Sequence, residues 1–406
     1  MMHAVQNVTI ALPAQKPLLE RHHPKGKIKV GIFLLYIFLL AGVARHLYYK
    51  PIYSMDSIQY MGNALLMEER NPVRIHQRVY AEVQRYVPRR EREDLLGYEV
   101  GAPADQNKSR QERASNADTF AEFLPLFAIR PLYNQTLWLV SKSGLGLVRS
   151  GLLISVTSYF LLGVLAFLWL RRYMSPVLTL AFSILLMISP PLLDLGRETT
   201  ADPLATLIAF ASLYLIFEKQ RLFAGMILLL ASIYFRTDFV VLAGPVILAC
   251  WLQRRIELWK AAVLSIVAVI SVLCINHFAG DYGIGMLYYR NFTGVPVAPG
   301  EMTVRLSARD YFSALRAGIT LMMSSFFLPF LLLGTVSIAL KRTRPLFAVT
   351  LGYVFLHFVI LPNWQERWFG VFYLSMAVCA AMATGTVKIS VLNETANGSE
   401  EFKPMV

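Results

Sequence analysis

Long runs of apolar residues, separated by short polar connections, recur along most of this sequence. Apolar residues make up 56% of the chain and charged residues 16%, with a mean hydropathy of +0.49, whereas soluble domains are about a quarter charged. Runs of this length are typical of helices that cross a lipid bilayer, where an apolar surface avoids water. The sequence therefore predicts an all-α, polytopic transmembrane helical bundle.

The apolar runs predict about ten spanning helices. They lie near residues 30–44, 149–170, 176–193, 203–217, 222–235, 238–252, 261–278, 312–339, 346–361 and 368–386. Several are short, as expected for helices that tilt little or carry aromatic residues at their ends. We divide the chain into an N-terminal tail (1–29), a transmembrane domain (30–386) that includes a long polar segment (46–148), and a C-terminal tail (387–406).

Basic residues concentrate in alternate connections between the apolar runs. These connections hold Arg171-Arg172, Lys219 with Arg221, Arg254-Arg255 with Lys260, and Lys341-Arg342 with Arg344. Because consecutive spans cross the membrane in opposite directions, all of these connections lie on the same side as the basic N-terminal tail. Positive charge in short loops favours the cytoplasmic side of a membrane. We expect both termini in the cytoplasm, the polar segment outside it, and a multi-pass protein of a plasma (inner) membrane. The net charge of +13 is then explained by basic residues in the cytoplasmic connections. We therefore expect no nucleic-acid partner.

The first apolar run follows a basic tail, an order that secretory signal peptides share. Gly42-Val43-Ala44 resembles a cleavage site. The leading tail is long for such a signal, so we favour an uncut first helix, with cleavage as the alternative.

The three cysteines, Cys250, Cys274 and Cys379, all fall inside apolar runs. They lack a CxxC spacing and have no partner in the long polar segment. We expect small buried hydrophobic residues there, and neither disulfides nor zinc sites.

The long polar segment contains a highly charged region around residues 89–94 and three further parts with distinct patterns. Residues 53–69 begin with Tyr53-Ser-Met-Asp56 and predict an amphipathic stretch. Residues 101–118 lack apolar periodicity and predict a flexible loop. Residues 120–142 are aromatic and apolar, with Arg130-Pro131 inside them, and predict one or two helices that lie on the membrane surface.

Under this topology, the residues capable of chemistry collect on the extracytoplasmic face. They are Asp56, Asp194, Arg197, Glu198, Asp202, Arg236, Asp238, His277, Asp281, Arg305, Arg309, Asp310, Glu366 and Arg367. The interiors of the spans carry almost no ionisable groups, whereas ion-coupled transporters usually place them at mid-membrane. The pattern therefore favours a site at the membrane–water interface.

Most single charges at the ends of spans are solvated anchors. Asp56 is a stronger candidate because it follows the first span directly and is flanked by Tyr53 and Tyr60. Asp202 precedes Pro203 at the start of a span, so a helix N-cap is an equally good explanation of its position.

Four features of the chain resemble the GT-C superfamily of membrane glycosyltransferases, which includes protein mannosyltransferases and aminoarabinose transferases. Asp56 opens a long outer segment after the first span. The other features are Arg130-Pro-Leu-Tyr133 before the second span, Glu198-Thr-Thr-Ala-Asp202 before the fourth, and Glu366-Arg367-Trp-Phe before a late span. The resemblance covers residues 30–386, with a single aspartate where the superfamily often has an acidic pair.

This resemblance implies an enzyme that transfers a sugar from a polyprenyl-phosphate donor to a hydroxyl of a lipid, glycan or protein acceptor, with inversion. Asp56 would be the general base. The donor phosphate would contact Arg236 and Arg367, with Arg305 and Arg309 as further candidates. Asp202 and Glu198 would position the acceptor. A divalent cation such as Mg²⁺ or Mn²⁺ is a possible cofactor, with Asp56 and Asp202 as its ligands.

Two other functions fit the same sequence. A transporter or flippase of a lipid-linked sugar or another amphiphile would need a continuous polar path between the leaflets. A non-catalytic membrane scaffold would leave Asp56 in solvent, far from any cavity or arginine.

Overall fold

The structure is a computed structural model that describes residues 30–292, 294, 299 and 307–398, without the side chains of residues 283, 284, 291, 292 and 385–398. This part of the chain is helical and contains no β-strand, only an isolated parallel bridge between Ile52 and Glu198. The predicted all-α fold class is confirmed.

The first apolar helix is α1 (Val30–Tyr49). The polar segment after it forms a layer of short helices: α2 (Met55–Leu65), α3 (Pro72–Tyr86), α4 (Arg89–Leu95), α5 (Ala104–Ser115), α6 (Ala117–Phe123), α7 (Pro125–Ala128) and α8 (Pro131–Val140). This layer has its own hydrophobic core, in which Ile58, Val79, Phe120 and Phe127 are buried. The long segment is therefore a packed helical unit.

The remainder of the described chain is a bundle of mostly apolar helices. They are α9 (Leu147–Leu170), α10 (Pro176–Met187), α11 (Pro190–Arg197), α12 (Asp202–Leu213), α13 (Leu222–Phe235), α14 (Val240–Leu252), α15 (Leu258–Phe278), α16 (Gly283–Phe292), α17 (Ala308–Met323), α18 (Phe327–Thr335), α19 (Arg344–Ile360) and α20 (Gly370–Gly398). Helix α12 lies inside the bundle, where it packs against α9, α13 and α20.

Among the described helices, four are long and apolar enough to cross a membrane: Val30–Tyr49, Leu147–Leu170, Leu258–Phe278 and Glu366–Thr384. The pairs α10–α11 and α17–α18 bend by 62° and 68°, so up to six spans result if each pair is one span. Every predicted apolar run falls on helices, but helices such as α13 are shorter than the roughly 20 residues that cross a bilayer upright. The membrane character is supported; the count of ten spans is not established.

The loop predicted for residues 101–118 was wrong, because α5 and the start of α6 occupy it. Gln, Lys, Arg, Glu and Ala in α5 favour a helix by propensity alone. The helix is further held by burial of Arg113, whose guanidinium lies 4.2 Å from the centroid of the Phe123 ring. An arginine at a buried position hides the apolar periodicity on which the prediction relied.

The prediction of three buried cysteines was correct for Cys250 and Cys379 and wrong for Cys274, which is exposed on α15. Most of the apolar surface of α15 faces outward from the bundle. An apolar run in a peripheral spanning helix is expected to face lipid, so its residues need not be buried in protein.

Candidate functional site

A cavity of about 840 Å³ lies where the helical layer of the polar segment meets the bundle. On the side of the bundle, the wall of the cavity consists of the first residues of α12 and α14, the last turns of α15 and α19, and the turn before α20. Because consecutive helices run in opposite directions, these starts and ends all lie at one end of the bundle. The structure thus brings Asp56, Asp202, Arg236, Asp238 and Arg367 together at one end of the bundle.

Asp56 sits in the first turn of α2, in the wall of the cavity. Ser54 is the N-cap of this helix, and its hydroxyl accepts a hydrogen bond from the Asp56 amide at 3.2 Å. Arg290 Nη2 donates to Asp56 Oδ1 at 2.8 Å, and Arg367 Nη2 donates to Oδ2 at 3.1 Å. Burial alone would raise the pKa of Asp56, but these two arginines and Arg130 lower it to about 2. The carboxylate is therefore ionised throughout the physiological pH range.

Arg367 connects three carboxylates of the site. It lies in a short turn, Glu366–Phe369, immediately before α20. Besides Asp56, it contacts Glu198 through Nη1 and Asp202 Oδ2 through Nε at 3.5 Å. One guanidinium therefore joins helix α2, the segment after α11 and the start of α12.

Glu198 is held at the edge of the site by its backbone. The Ile52 amide donates to the Arg197 carbonyl at 3.0 Å, and this anchors the strand-like bridge that precedes Asp56. Burial raises the pKa of Glu198 to about 7, despite the contact with Arg367. Since Arg367 is shared with Asp56 and Asp202, it compensates only part of the cost of withdrawing Glu198 from water.

Arg236 forms the second centre of the network. Its backbone is extended at the break between α13 and α14, and its side chain is buried. Nε donates to Asp238 Oδ1 at 2.9 Å, and Nη1 lies 3.0 Å from Asp202 Oδ1. His357, in the last turn of α19, places Nε2 3.0 Å from Asp238 Oδ2. From Asp238 onward, the ion pairs form a chain of alternating charge: Asp238, Arg236, Asp202, Arg367, Asp56 and Arg290.

Asp202 is not an N-cap. It is the first residue of α12, its side chain makes no capping hydrogen bond, and the preceding position belongs to Ala201. Its carboxylate instead accepts from the Thr200 hydroxyl at 3.1 Å and pairs with Arg236 and Arg367. The ion pairs explain its position, while Pro203 supplies the helix start.

Several predicted residues lie outside the cavity. Asp194 and Arg197 pair with each other, Glu366 accepts from the Phe326 amide, and Asp310 accepts from Ser307. Arg309 is exposed at the start of α17, and Arg305 lies outside the described residues. His277 and Asp281 do not line the cavity. Of the predicted phosphate-binding arginines in the described chain, only Arg236 and Arg367 reach it.

Sequence reasoning missed seven acidic, basic and histidine residues of the cavity wall as site residues: Asp94, Glu99, Arg110, Arg113, Arg130, Arg290 and His357. Two of them carried a usable signal. Arg290 lies in a connection assigned to the same side as Asp56, and His357 is an ionisable residue in an apolar run, which by itself marks a candidate site. Arg113 carried none, because it falls in the segment taken for a flexible loop.

The donor atoms around Asp56 and Asp202 do not fit a divalent cation. Each carboxylate already pairs with two guanidinium groups, which would repel a further positive charge. Within the part of the chain that the structure describes, no group of three or more His, Cys, Asp and Glu side chains is arranged to hold a metal ion.

No family model matches this chain, and no curated protein or solved structure shows significant similarity to it. Function must therefore be inferred from the site itself.

Proposed function

We propose that this protein is a membrane glycosyltransferase of the GT-C type, which moves a sugar from a polyprenyl-phosphate donor to a hydroxyl acceptor. The observation that supports this most is the position of Asp56. Its carboxylate lies in the wall of a large cavity, between Arg290 and Arg367, at the end of a bundle of apolar helices. A base next to anion-binding groups at the edge of a bilayer is what this reaction requires.

Asp56 would act on the acceptor. The acceptor hydroxyl oxygen attacks the anomeric carbon, the bond from that carbon to the phosphate oxygen breaks, and the hydroxyl proton passes to the Asp56 carboxylate. While two arginines hold Asp56, it is a weak base. An arriving lipid phosphate would neutralise part of their charge and so make the carboxylate more basic. Single displacement of this kind inverts the anomeric configuration.

The leaving group is a lipid phosphate, whose developing charge needs cations. Arg367 and Arg290 flank Asp56 and would provide them. Arg236 is already bound to Asp202 and Asp238, so it would orient the acceptor-positioning carboxylates and contact phosphate only after rearrangement. Arginines thus supply the positive charge, and no step is assigned to a metal ion.

The span side of the cavity is apolar. Val240 and Val241 of α14, Val272 of α15, and Ile360 with Leu361 at the end of α19 line it. An apolar wall beside charged groups suits an amphiphilic donor, with its isoprenoid chain against the helices and its phosphate against the arginines.

The proposed topology has about ten spans, some of them short or bent. Both termini lie in the cytoplasm of a plasma (inner) membrane, and the cavity opens on the extracytoplasmic face. The partners are the bilayer, the polyprenyl-phosphate sugar, and a lipid, glycan or protein acceptor.

Two features weigh against the other functions. Asp56 contacts two arginines within a cavity, which a scaffold would not require. The charged residues of the cavity lie at one end of the bundle, whereas a flippase for a lipid-linked sugar would need a polar path through it.

The proposal is tested with purified full-length protein in lipid nanodiscs and a panel of polyprenyl-phosphate sugars. We expect Asp56→Asn and Asp56→Ala to reduce sugar transfer by roughly 10²–10⁴-fold, the usual contribution of a general base. Asp194→Asn is the matched control, because Asp194 is a half-exposed aspartate that does not line the cavity. Transfer at the wild-type rate in both Asp56 variants would disprove the assigned role.

A further inference from the structure

Two arginines in the cavity wall have no carboxylate partner. The other arginines there are paired: Arg110 with Glu99, Arg236 with Asp202 and Asp238, and Arg290 and Arg367 with Asp56. In the described part of the chain, Arg113 and Arg130 take part in no ion pair, although both line the cavity. An unpaired guanidinium away from bulk water is costly, so such groups call for an explanation.

Arg113 is the more deeply buried of the two, with 5% of its surface exposed. Its Nε donates to the Ser109 carbonyl at 3.0 Å, and the guanidinium lies over the Phe123 ring. Burial, together with the neighbouring Arg290 and Arg110, lowers the pKa of Arg113 to about 10. The Arg113 side chain is therefore held at a place where the positively charged form of its guanidinium is disfavoured.

Arg130 and Arg290 converge on one aromatic ring. The Arg290 guanidinium lies 4.5 Å from the Phe127 centroid, and that of Arg130 lies 5.9 Å from it. Arg130 also lies over Tyr60, at 5.4 Å. Cation–π contacts hold guanidinium groups in place without using their N–H donors. The donors of Arg130 thus stay available to a ligand.

The distribution of charge in the cavity is uneven as a consequence. On the side of Arg236 and Arg367, the carboxylates Asp202, Asp238 and Glu198 outnumber the arginines. On the side of the polar segment, the arginines Arg110, Arg113, Arg130 and Arg290 outnumber the carboxylates Asp56, Asp94 and Glu99 by one. An incoming anion is therefore attracted to the wall formed by α5 and the start of α8.

We infer that Arg113 and Arg130 form an oxyanion-binding subsite, with Arg290 joining it to Asp56, that recognises a phosphoryl or carboxylate group of a ligand. A planar guanidinium with several N–H donors suits such oxygens through paired hydrogen bonds. The subsite goes beyond the proposed transfer, because its ligand need not be the leaving phosphate. If glycosyl transfer is the activity, the anion belongs to a second charged group of one substrate.

Binding of inorganic phosphate to the purified full-length chain tests the subsite. The thermal unfolding midpoint is measured against phosphate concentration at constant ionic strength with chloride, since a ligand that binds the folded state raises it. We expect Arg113→Met and Arg130→Met each to raise the phosphate Kd by about tenfold or more, because a hydrogen bond to a charged group contributes at least that much. Arg130→Lys keeps the charge and should retain part of the affinity.

Arg89→Met is the matched control, because it removes one positive charge from an 84% exposed side chain of the same polar segment. If Arg113→Met does not fold, the phosphate Kd values of Arg130→Met and Arg130→Lys test the subsite. Acetate is titrated in parallel: an equal response assigns the subsite to oxyanions in general, and a response to phosphate alone assigns it to phosphoryl groups. No response of the wild type to either anion, or an unchanged phosphate Kd in the Arg113 and Arg130 variants, overturns the inference. An equal loss of phosphate affinity in Arg89→Met also overturns the inference.

The outcome is separable from that of the proposed function. Asp56→Asn should strongly reduce transfer and keep the dependence of phosphate binding on Arg113 and Arg130. A protein that binds phosphate in this way and transfers no sugar would contradict the enzyme proposal and leave the subsite intact.

Discussion

Single arginines hold the site together because each reaches carboxylates on more than one element. Arg367 contacts Asp56, Glu198 and Asp202, which belong to three separate parts of the chain. Pairs of this kind contribute modest net stability, but removing one partner leaves the others charged and buried. The site is therefore sensitive to the protonation state of each member.

Glu198 carries the clearest dependence on pH. Its pKa is raised from 4.5 to about 7 by burial. Between these pH values the folded state therefore binds more protons than the unfolded state. The stability of the folded state should then fall as the pH rises from 5 to 8. Glu198→Gln should remove this loss, which amounts to at most about 3 kcal/mol.

Thermal unfolding of wild type and Glu198→Gln in detergent at pH 5 and pH 8 measures the difference. We expect similar midpoints at pH 5 and a higher midpoint for the variant at pH 8. A variant that is less stable at pH 8 than the wild type would mean that the ion pair with Arg367 outweighs the cost of burial.

Helix α1 is fixed to the bundle by close contact with α9. Tyr36 and Leu40 are buried there, and the Tyr36 hydroxyl donates to the Gly163 carbonyl at 2.7 Å. A Cβ at Gly163 would lie 2.7 Å from Leu40 Cδ2 and 3.0 Å from Tyr36 Oη. The absence of a side chain at this position lets the two helices approach.

Gly163→Val should therefore destabilise the contact between α1 and α9, by about 1–3 kcal/mol if the neighbours shift only partly. Gly42→Val is the matched control, since a Cβ at Gly42 meets nothing within 4 Å. Thermal unfolding in detergent should show a lower midpoint for Gly163→Val alone. Equal midpoints for the two variants would contradict the packing of α1 on α9.

The molecule as a whole consists of a helical layer on one end of an apolar bundle, with the cavity between them. Because of this arrangement, the two ends of the bundle carry different sets of charged residues. The end near the cavity holds alternating acidic and basic groups, whereas the other end holds Arg172 paired with the buried Glu218, and exposed Lys219 and Gln220. From the positive-inside rule, we propose that this second end faces the cytoplasm.

Cysteine labelling on intact cells checks this orientation. In a Cys274→Ser background, Ser115→Cys in the polar segment should react with a membrane-impermeant maleimide, because Ser115 is exposed. Gln220→Cys, also exposed, should react only after permeabilisation. Labelling of Gln220→Cys in intact cells, with protection of Ser115→Cys, would reverse the topology and place the cavity on the cytosolic side.

The sequence alone determined the helical class of the molecule and the end of the bundle at which its charged residues gather. Apolar runs dictate helices, because a backbone in lipid must satisfy its own hydrogen bonds. The alternation of consecutive helices then brings the connections that hold Asp56, Glu198, Asp202, Arg236 and Arg367 to one end. These were predicted from the residues, and the structure gathers them into one network.

Only the tertiary structure decided which charges pair. Asp56 and Arg290 are 234 positions apart, and Arg113 lies in a helix that the sequence did not predict. Spanning helices that are apolar on all sides carry no periodicity to show which face meets the protein. The rotation of each helix, and so the partner of each arginine, is set by packing such as that of α12 against α9, α13 and α20. Side-chain pairing across a cavity depends on this rotation, which local sequence does not encode.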